Sequence, residues 1–238
     1  MTRRLSISTP PRNSYPHPQY DMAVMRLIIK AIRRAWIPIA LEEHHASVGQ
    51  ERDEVPLNSA MAEELDALRR SRNLPGFSSD LFETVVVDAP VKDYLGNRIS
   101  SRPDITLRLR DIRPGVANHW VDAIYIECKR IRQSSNIGNY FSSGMKKFLD
   151  GQYAWAVQQA IMIGYVETSQ ELPDALHDRL CRLDMPKTAQ LVPYKNKLVR
   201  PSGKPYAAFT THHRTWKHEN DDLPGDIELT HVWLWYTD

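Results

Sequence analysis

Apolar residues recur at helical spacing over residues 20–36, where Met22, Met25, Ile28, Ile29, Ile32 and Trp36 are interleaved with Arg26, Lys30, Arg33 and Arg34. The stripe predicts an amphipathic helix that ends near Pro38, because a residue preceding proline is driven out of the helical region. Its basic face suits a membrane surface or nucleic acid, but docking of the apolar stripe on the rest of the chain is the simpler outcome. Residues 42–55 are polar without a sustained period and are expected to form a loop or a frayed helix extension, the best candidate for a mobile linker. Leu57, Met61, Leu65 and Leu68 then define a second helix to about Arg72. Asn58 or Ser59 is available as its N-cap, and Asn73, Pro75 and Gly76 stop it.

Beyond Gly76 the period changes. Residues 82–87 are β-branched and apolar, as in a strand, and residues 93–97 hold a turn around Gly96. Residues 104–110 alternate Ile105, Leu107 and Leu109 with Thr106, Arg108 and Arg110, which predicts a strand with one wet face. Residues 120–129 are apolar at nearly every position from Val121 to Ile126, the pattern of a central strand covered on both sides. A polar loop through Ser134, Ser135 and Gly138 leads to a long predicted helix over 142–159, and residues 160–166 read as a fourth strand. Residues 173–184 look helical, 193–205 look like a basic loop, and 227–236 look like a last strand. The expected class is α/β, a central mixed β-sheet flanked by helices. Residues 1–56 form an N-terminal arm and helix packing on the core, and 57–238 form one domain that includes C-terminal elaborations.

Composition narrows the class of protein without choosing a function. At 42% hydrophobic and 25% charged the 238 residues are ordinary for a folded globular chain. The net charge of +2 neither demands nor excludes a phosphate-rich partner, since a local patch outweighs the total. Two cysteines, Cys128 and Cys181, are too few for a disulfide framework and lack metal-ligand spacing. Prolines 10, 11, 16 and 18 stand where a secretion signal needs an apolar run, and no apolar stretch is long enough to cross a bilayer. A cytoplasmic protein with no membrane partner is expected. GxGxxG, GK[ST] and GxSxG patterns are absent, so nucleotide cradles and serine-hydrolase elbows are not supported.

Two short pieces carry chemistry: Pro103-Asp104 opening one predicted strand, and Glu127-Cys128-Lys129 closing the next. Side chains two apart in a strand share a face, so Glu127 and Lys129 point together and Cys128, a small core residue, points away. If the two strands are neighbours, Asp104 approaches Glu127, and the pair offers oxygen ligands to a hard cation such as Mg²⁺. Lys129 would hold or deprotonate an attacking water and stabilise developing negative charge, its own charge balanced by Glu127. The plain alternative is a structural ion pair at the end of the sheet.

The Pro103-Asp104 and Glu127-x-Lys129 pattern resembles the signature of the PD-(D/E)xK nuclease superfamily. The resemblance implies a restriction-endonuclease-like core ordered helix, three strands, helix, strand, an order that residues 57–166 follow. It implies Mg²⁺-dependent hydrolysis of DNA phosphodiester bonds, with Mn²⁺ able to substitute, in restriction, phage defence or DNA repair. It further implies an acid from the first core helix, for which Glu64 is chosen because it follows the stripe of Leu57, Met61 and Leu68. Catalytic residues are then Asp104, Glu127, Lys129 and Glu64, and metal ligands Asp104, Glu127 and Glu64. An RNA-directed nuclease, or a catalytically silent binding module of the same fold, are the alternatives; a homodimer or an accessory subunit is compatible with either.

Arg130, Arg132, Lys146 and Lys147, near Tyr140 and Phe141, form a candidate phosphate track, with a solvated basic face as the alternative. Gln152 and Tyr153, on the long predicted helix, are candidates to position substrate, with a core role for Tyr153 favoured. His212, His213 and His218 surround Arg214 without a cysteine or carboxylate at zinc spacing. His213 and Arg214 are read as a polar loop touching DNA phosphate.

Overall fold

The computed structural model describes residues 15–45, 54–96, 101–132, 136–167, 192–193, 207–217 and 223–236. Two long helices come first, α1 (Met22–His45) and α2 (Glu54–Ser71), followed by strands β1 (Val86–Val87), β2 (Ile105–Leu107) and β3 (Ile124–Ile131). A helical segment of α3 (Asn136–Asn139), one π turn (Tyr140–Met145) and α4 (Lys146–Leu149) leads to β4 (Gln159–Val166). Strands β5 (Val192–Pro193), β6 (Ala207–His212) and β7 (Ile227–Trp235) complete a seven-stranded sheet in the order β1-β2-β3-β4-β7-β6-β5. It is mixed: β3, β4 and β7 run parallel, and every other neighbouring pair is antiparallel. The α/β class with a mixed sheet and flanking helices is therefore observed.

Both faces of the sheet are covered, which is why β4 is buried at all eight positions. On one face Trp36 of α1 stacks on Tyr165 with ring centroids 5.3 Å apart and donates its indole N–H to the Trp235 carbonyl at 2.7 Å. On the other face the π turn lies so close that a Cβ on Gly144 would meet Met162 Cε at 2.6 Å and Lys129 Cγ at 3.3 Å. The N-terminal arm is tied to the same core. Asp122 accepts from Arg113 (2.6 and 3.0 Å) and Tyr20 (3.2 Å) and lies 3.3 Å from His17 Nδ1. Burial opposes ionisation of Asp122, but His17 and Arg113 outweigh it and hold the carboxyl down at about 2.

Several sequence expectations change. Helix α1 continues through Pro38 to His45, since Trp36 and Ile39 on either side remain buried in the core and keep the stripe docked. Helix α2 begins at Glu54, so residues 54–55 are not loop and the boundary drawn at 56/57 falls within its first turn. Asn58 is accordingly inside the helix and buried, not its N-cap. The long helix expected over 142–159 stops at Leu149, where Gly151 takes φ +69° and residues 150–158 turn back across the sheet. Trp120 belongs to a short 3₁₀ turn (His119–Val121), and β3 starts only at Ile124. The supposed wet face of β2 is not wet either, because Thr106 is buried with Ile105 and Leu107. Strand β3 is interior, but the middle position belongs to β4. Cys128 is fully buried, as expected of a core residue. The expected helix over 173–184, most of the basic loop over 193–205, Cys181 and His218 lie outside the described residues.

Candidate active site

Register brings the two sequence pieces together. Strands β2 and β3 are antiparallel with Ile105 opposite Ile126, so the next positions, Asp104 and Glu127, stand across from each other on one face. Asp104 Oδ2 accepts the backbone N–H of Cys128 at 2.6 Å, which fixes its carboxylate over the β3 backbone. Alternation along β3 places Lys129 on the same face, with Nζ 3.1 Å from Glu127 Oε1. The predicted grouping of Asp104, Glu127 and Lys129 is thus present.

Glu127 is completely buried, and a buried carboxylate is tolerated only when its oxygens are paired. Here it is ringed by partners: Lys129, Lys147 Nζ at 2.5 Å on Oε1, and the Tyr153 hydroxyl, which donates to Oε2. Lys147 comes from α4 and Tyr153 from the turn after Gly151, so the early end of the helical segment is what delivers both. Lys129 is shared in turn. It donates to Glu54 Oε1 at 2.5 Å and to the Cys128 carbonyl at 2.7 Å, while Glu54 Oε2 accepts the Arg130 backbone N–H at 3.2 Å.

The electrostatics follow from two acids and an ammonium in a poorly solvated corner. Burial, then the neighbouring Glu127 carboxylate, push Asp104 up to about 7, against the opposing pull of Lys129. Burial by itself would depress the Lys129 ammonium, but Glu127, Glu54 and Asp104 together outweigh it and hold the group well above its ordinary value. Lys129 is therefore a fixed positive charge. A charged amine suits holding a water and stabilising negative charge; to deprotonate water it would first have to give up its own proton.

Glu64 is not part of this group. It lies about ten residues beyond Glu54 along α2, roughly 15 Å at 1.5 Å per residue. There it borders a shallow depression with Glu63, Asp66, Arg70 and Val87. The helical stripe was read correctly, since Leu57, Met61 and Leu65 are buried, but Glu64 flanks it and the acid that reaches the site is Glu54 at the N-terminal end. Glu54 was missed because residues 42–55 show no periodicity.

The proposed phosphate track is largely neutralised within the chain. Arg130 and Arg132 both pair with Glu167, and Lys146 pairs with Asp150 at 2.6 Å. Lys147 turns inward to Glu127. Tyr140 and Phe141 are buried, with the Tyr140 hydroxyl 2.8 Å from His231 Nδ1. Arg214 is a structural clamp rather than a phosphate ligand: buried at 1% exposure, it donates to the carbonyls of Ala154, Val157, Pro224 and Gly225 at 2.6–3.1 Å. His213 is exposed and lies 2.9 Å from Asp226, and His212 is buried in β6, 2.7 Å from Thr210 Oγ1. Among the described residues no three His, Cys, Asp or Glu side chains gather closely enough to hold a metal by themselves.

No family model, curated protein or solved structure significantly matches this chain. No helix among the described residues is long and apolar enough to cross a membrane.

Proposed function

We propose that the chain is a metal-dependent nuclease of the PD-(D/E)xK type that hydrolyses DNA phosphodiester bonds. One observation carries the reading: Asp104 and Glu127 face each other across β2 and β3, with the charged Lys129 amine 3.1 Å from Glu127. The order of α2, β1, β2, β3, helical segment and β4 supports the reading, since it matches the helix, three strands, helix, strand order that the resemblance implies.

The donor set suits Mg²⁺. Burial and then the facing Glu127 carboxylate push Asp104 toward neutral pH, a penalty that a divalent cation would offset, and Mg²⁺ takes one or two carboxylates and keeps several waters. Asp104 and Glu127 would hold it. When bound it would lower the pKa of a coordinated water and neutralise charge on the phosphoryl group. The protein contributes the remainder. Lys129, kept charged and aimed by Glu54, places an N–H donor where negative charge develops on the scissile phosphate. Tyr153 and Lys147 hold Glu127 in one orientation. Glu54 replaces Glu64 as the helix acid.

The test is incubation of the protein with supercoiled plasmid and Mg²⁺ or Mn²⁺, beside Lys129→Ala and Asp104→Ala. Nicking by the parent and none by either variant is expected; equal nicking by Lys129→Ala would remove the mechanism. The density of contacts on Lys129 and Glu127 favours a second reading, an ion-pair network in a silent nucleic-acid-binding module. Strand binding without nicking in any metal supports that one.

A further inference from the structure

A cavity of about 720 Å³ has Arg108, just beyond β2, in its wall. Alternation along β2 and its continuation puts Asp104, Thr106 and Arg108 on one face, and Arg108, in the cavity wall, is four positions from Asp104, about 13 Å along the strand. The cavity is rich in rings: Tyr15, Tyr94, Trp120 and Trp155 line it, together with Lys92 and Arg108. Trp120 is 69% exposed, far more than a large aromatic side chain needs to be for folding.

Three of the four rings are held by neighbours. Tyr94 stacks on Trp216 with centroids 4.4 Å apart, Tyr15 meets Trp155 edge-on at 5.0 Å, and the Trp155 indole donates to the Lys92 carbonyl at 2.9 Å. Arg108 donates to the Trp120 carbonyl at 3.0 Å, while its buried Nε finds no partner. The one acid in the wall, Asp93, is turned onto the Leu95 backbone N–H at 3.1 Å. Positive side chains therefore dominate the open part. Trp155 in the cavity wall is two residues from Tyr153, which donates to Glu127 in the site.

We propose that this cavity receives unpaired bases of single-stranded DNA, stacked on Trp120 and Tyr94, with Lys92 and Arg108 on the adjoining phosphates. Exposed rings flanked by cations are the combination that grips single strands without regard to sequence, each ring taking a base face and each cation a phosphate. A duplex keeps its bases inside and offers such rings nothing to stack on. The inference rests on the nuclease reading for what happens next: it makes the substrate a DNA with a single-stranded segment about 13 Å or more from the cut. A neutral peptide would find the apolar rings equally well but would leave the cations without anions, and a peptide offers no row of flat base faces with a phosphate between each pair.

The test needs no cleavage. A fluorescently labelled single-stranded oligodeoxynucleotide is titrated with the full chain in EDTA and followed by anisotropy, beside a blunt duplex and an abasic strand of equal charge. The single strand should bind at least about tenfold tighter than either comparison, and Trp120→Ala, an exposed position whose loss leaves the core untouched, should weaken it by about tenfold. Lys92→Ala should weaken it less and flatten its salt dependence. Equal binding of the abasic strand, or unchanged affinity of Trp120→Ala, overturns the proposal. The two readings fail separately. Parent protein that nicks plasmid while Trp120→Ala binds strands normally removes the stacking site alone. Base-dependent binding lost in Trp120→Ala, with no cleavage in Mg²⁺ or Mn²⁺ of plasmid or of a duplex carrying a single-stranded tail, removes the nuclease alone.

Discussion

Glu54 and Lys129, 75 positions apart in the chain, meet with Oε1 and Nζ 2.5 Å from each other. The first residue of α2 thereby sets the position of the last site residue of β3. Because Glu54 also accepts the Arg130 N–H, it fixes both the amine and the strand end that carries it. Glu54→Gln keeps the shape and the hydrogen-bonding reach but removes one of three anions that hold Lys129 charged. The pair is partly exposed, so stability should fall by only about 1 kcal/mol or less. Metal-dependent nicking should fall about tenfold or more, as expected when a positioned charge loses its support. Parent-like nicking by Glu54→Gln would show that Lys129 needs no aiming.

Asp104 stores strain for the sake of the site. Its folded pKa of about 7 lies above the ordinary carboxylate value, so folding takes up a proton between those limits. The sign is that stability falls as pH rises through this window, and the full penalty is present above about 7. Asp104→Asn removes the charge while its side-chain oxygen can still accept the Cys128 N–H. We expect the variant to melt a few degrees higher than the parent at pH 8, with a smaller gain at pH 5, and to lose Mg²⁺ binding by calorimetry. Lower stability at both pH values would mean that the opposed carboxylates are not strained.

How much of this was legible in the chain differs between the sheet and its surroundings. The Asp104, Glu127 and Lys129 grouping was readable because period two in a strand is strict, and because the apolar run ending at Ile126 located β3. Tyr153 and Lys147, which complete the pairing of Glu127, were placed on a single long helix. Apolar residues from Met145 to Val157 are buried whether they sit on a helix or on a turn crossing the sheet, so periodicity cannot find the stop at Gly151. Arg214 looked like a phosphate ligand for a similar reason: a basic residue among histidines carries no mark that four backbone carbonyls await it. Pro38 misled in the opposite sense, since local proline chemistry yielded to the packing of Trp36 and Ile39. Glu54 had no local signal at all, only a partner far away in sequence.

Behind the site, the pH response of the fold should be governed by two buried histidines. His231 lies between Tyr140 and Thr210, and His212 shares the Thr210 hydroxyl at 2.7 Å. Burial depresses His212 to about 4, and burial with His212 nearby depresses His231 to about 3. Both are neutral in the fold and protonate near 6.5 when unfolded, so their stabilising contribution is complete above about 6.5 and drains away as pH falls toward 4. Each contributes a slope of up to about 1.4 kcal/mol per pH unit. His212→Gln retains a hydrogen-bonding group for Thr210 and cannot titrate. Urea denaturation between pH 4 and 6.5 should therefore show a dependence shallower than the parent's by about one proton, and identical slopes would rule out a neutral buried His212.

Arg214 supplies the sharpest separation of structure from binding. Its guanidinium joins the turn at 154–157, which carries Trp155 of the cavity wall, to residues 224–225 ahead of β7. Burial lowers the group to about 10, a value at which it still carries its charge at neutral pH. Arg214→Ala removes the guanidinium donor from four carbonyls, leaving Ala154 only the Val157 N–H at 3.2 Å, and a cost of about 3 kcal/mol is expected. Arg214→Lys should recover only part of it, since one ammonium cannot reproduce the planar fork that spans both segments. A DNA-contact role makes the reverse forecast: stability unchanged, affinity reduced, and a shallower salt dependence of binding. Urea midpoints of the two variants, measured beside strand affinity in EDTA at two salt concentrations, decide between them. A stable Arg214→Ala protein with weakened strand binding would return Arg214 to the nucleic-acid surface.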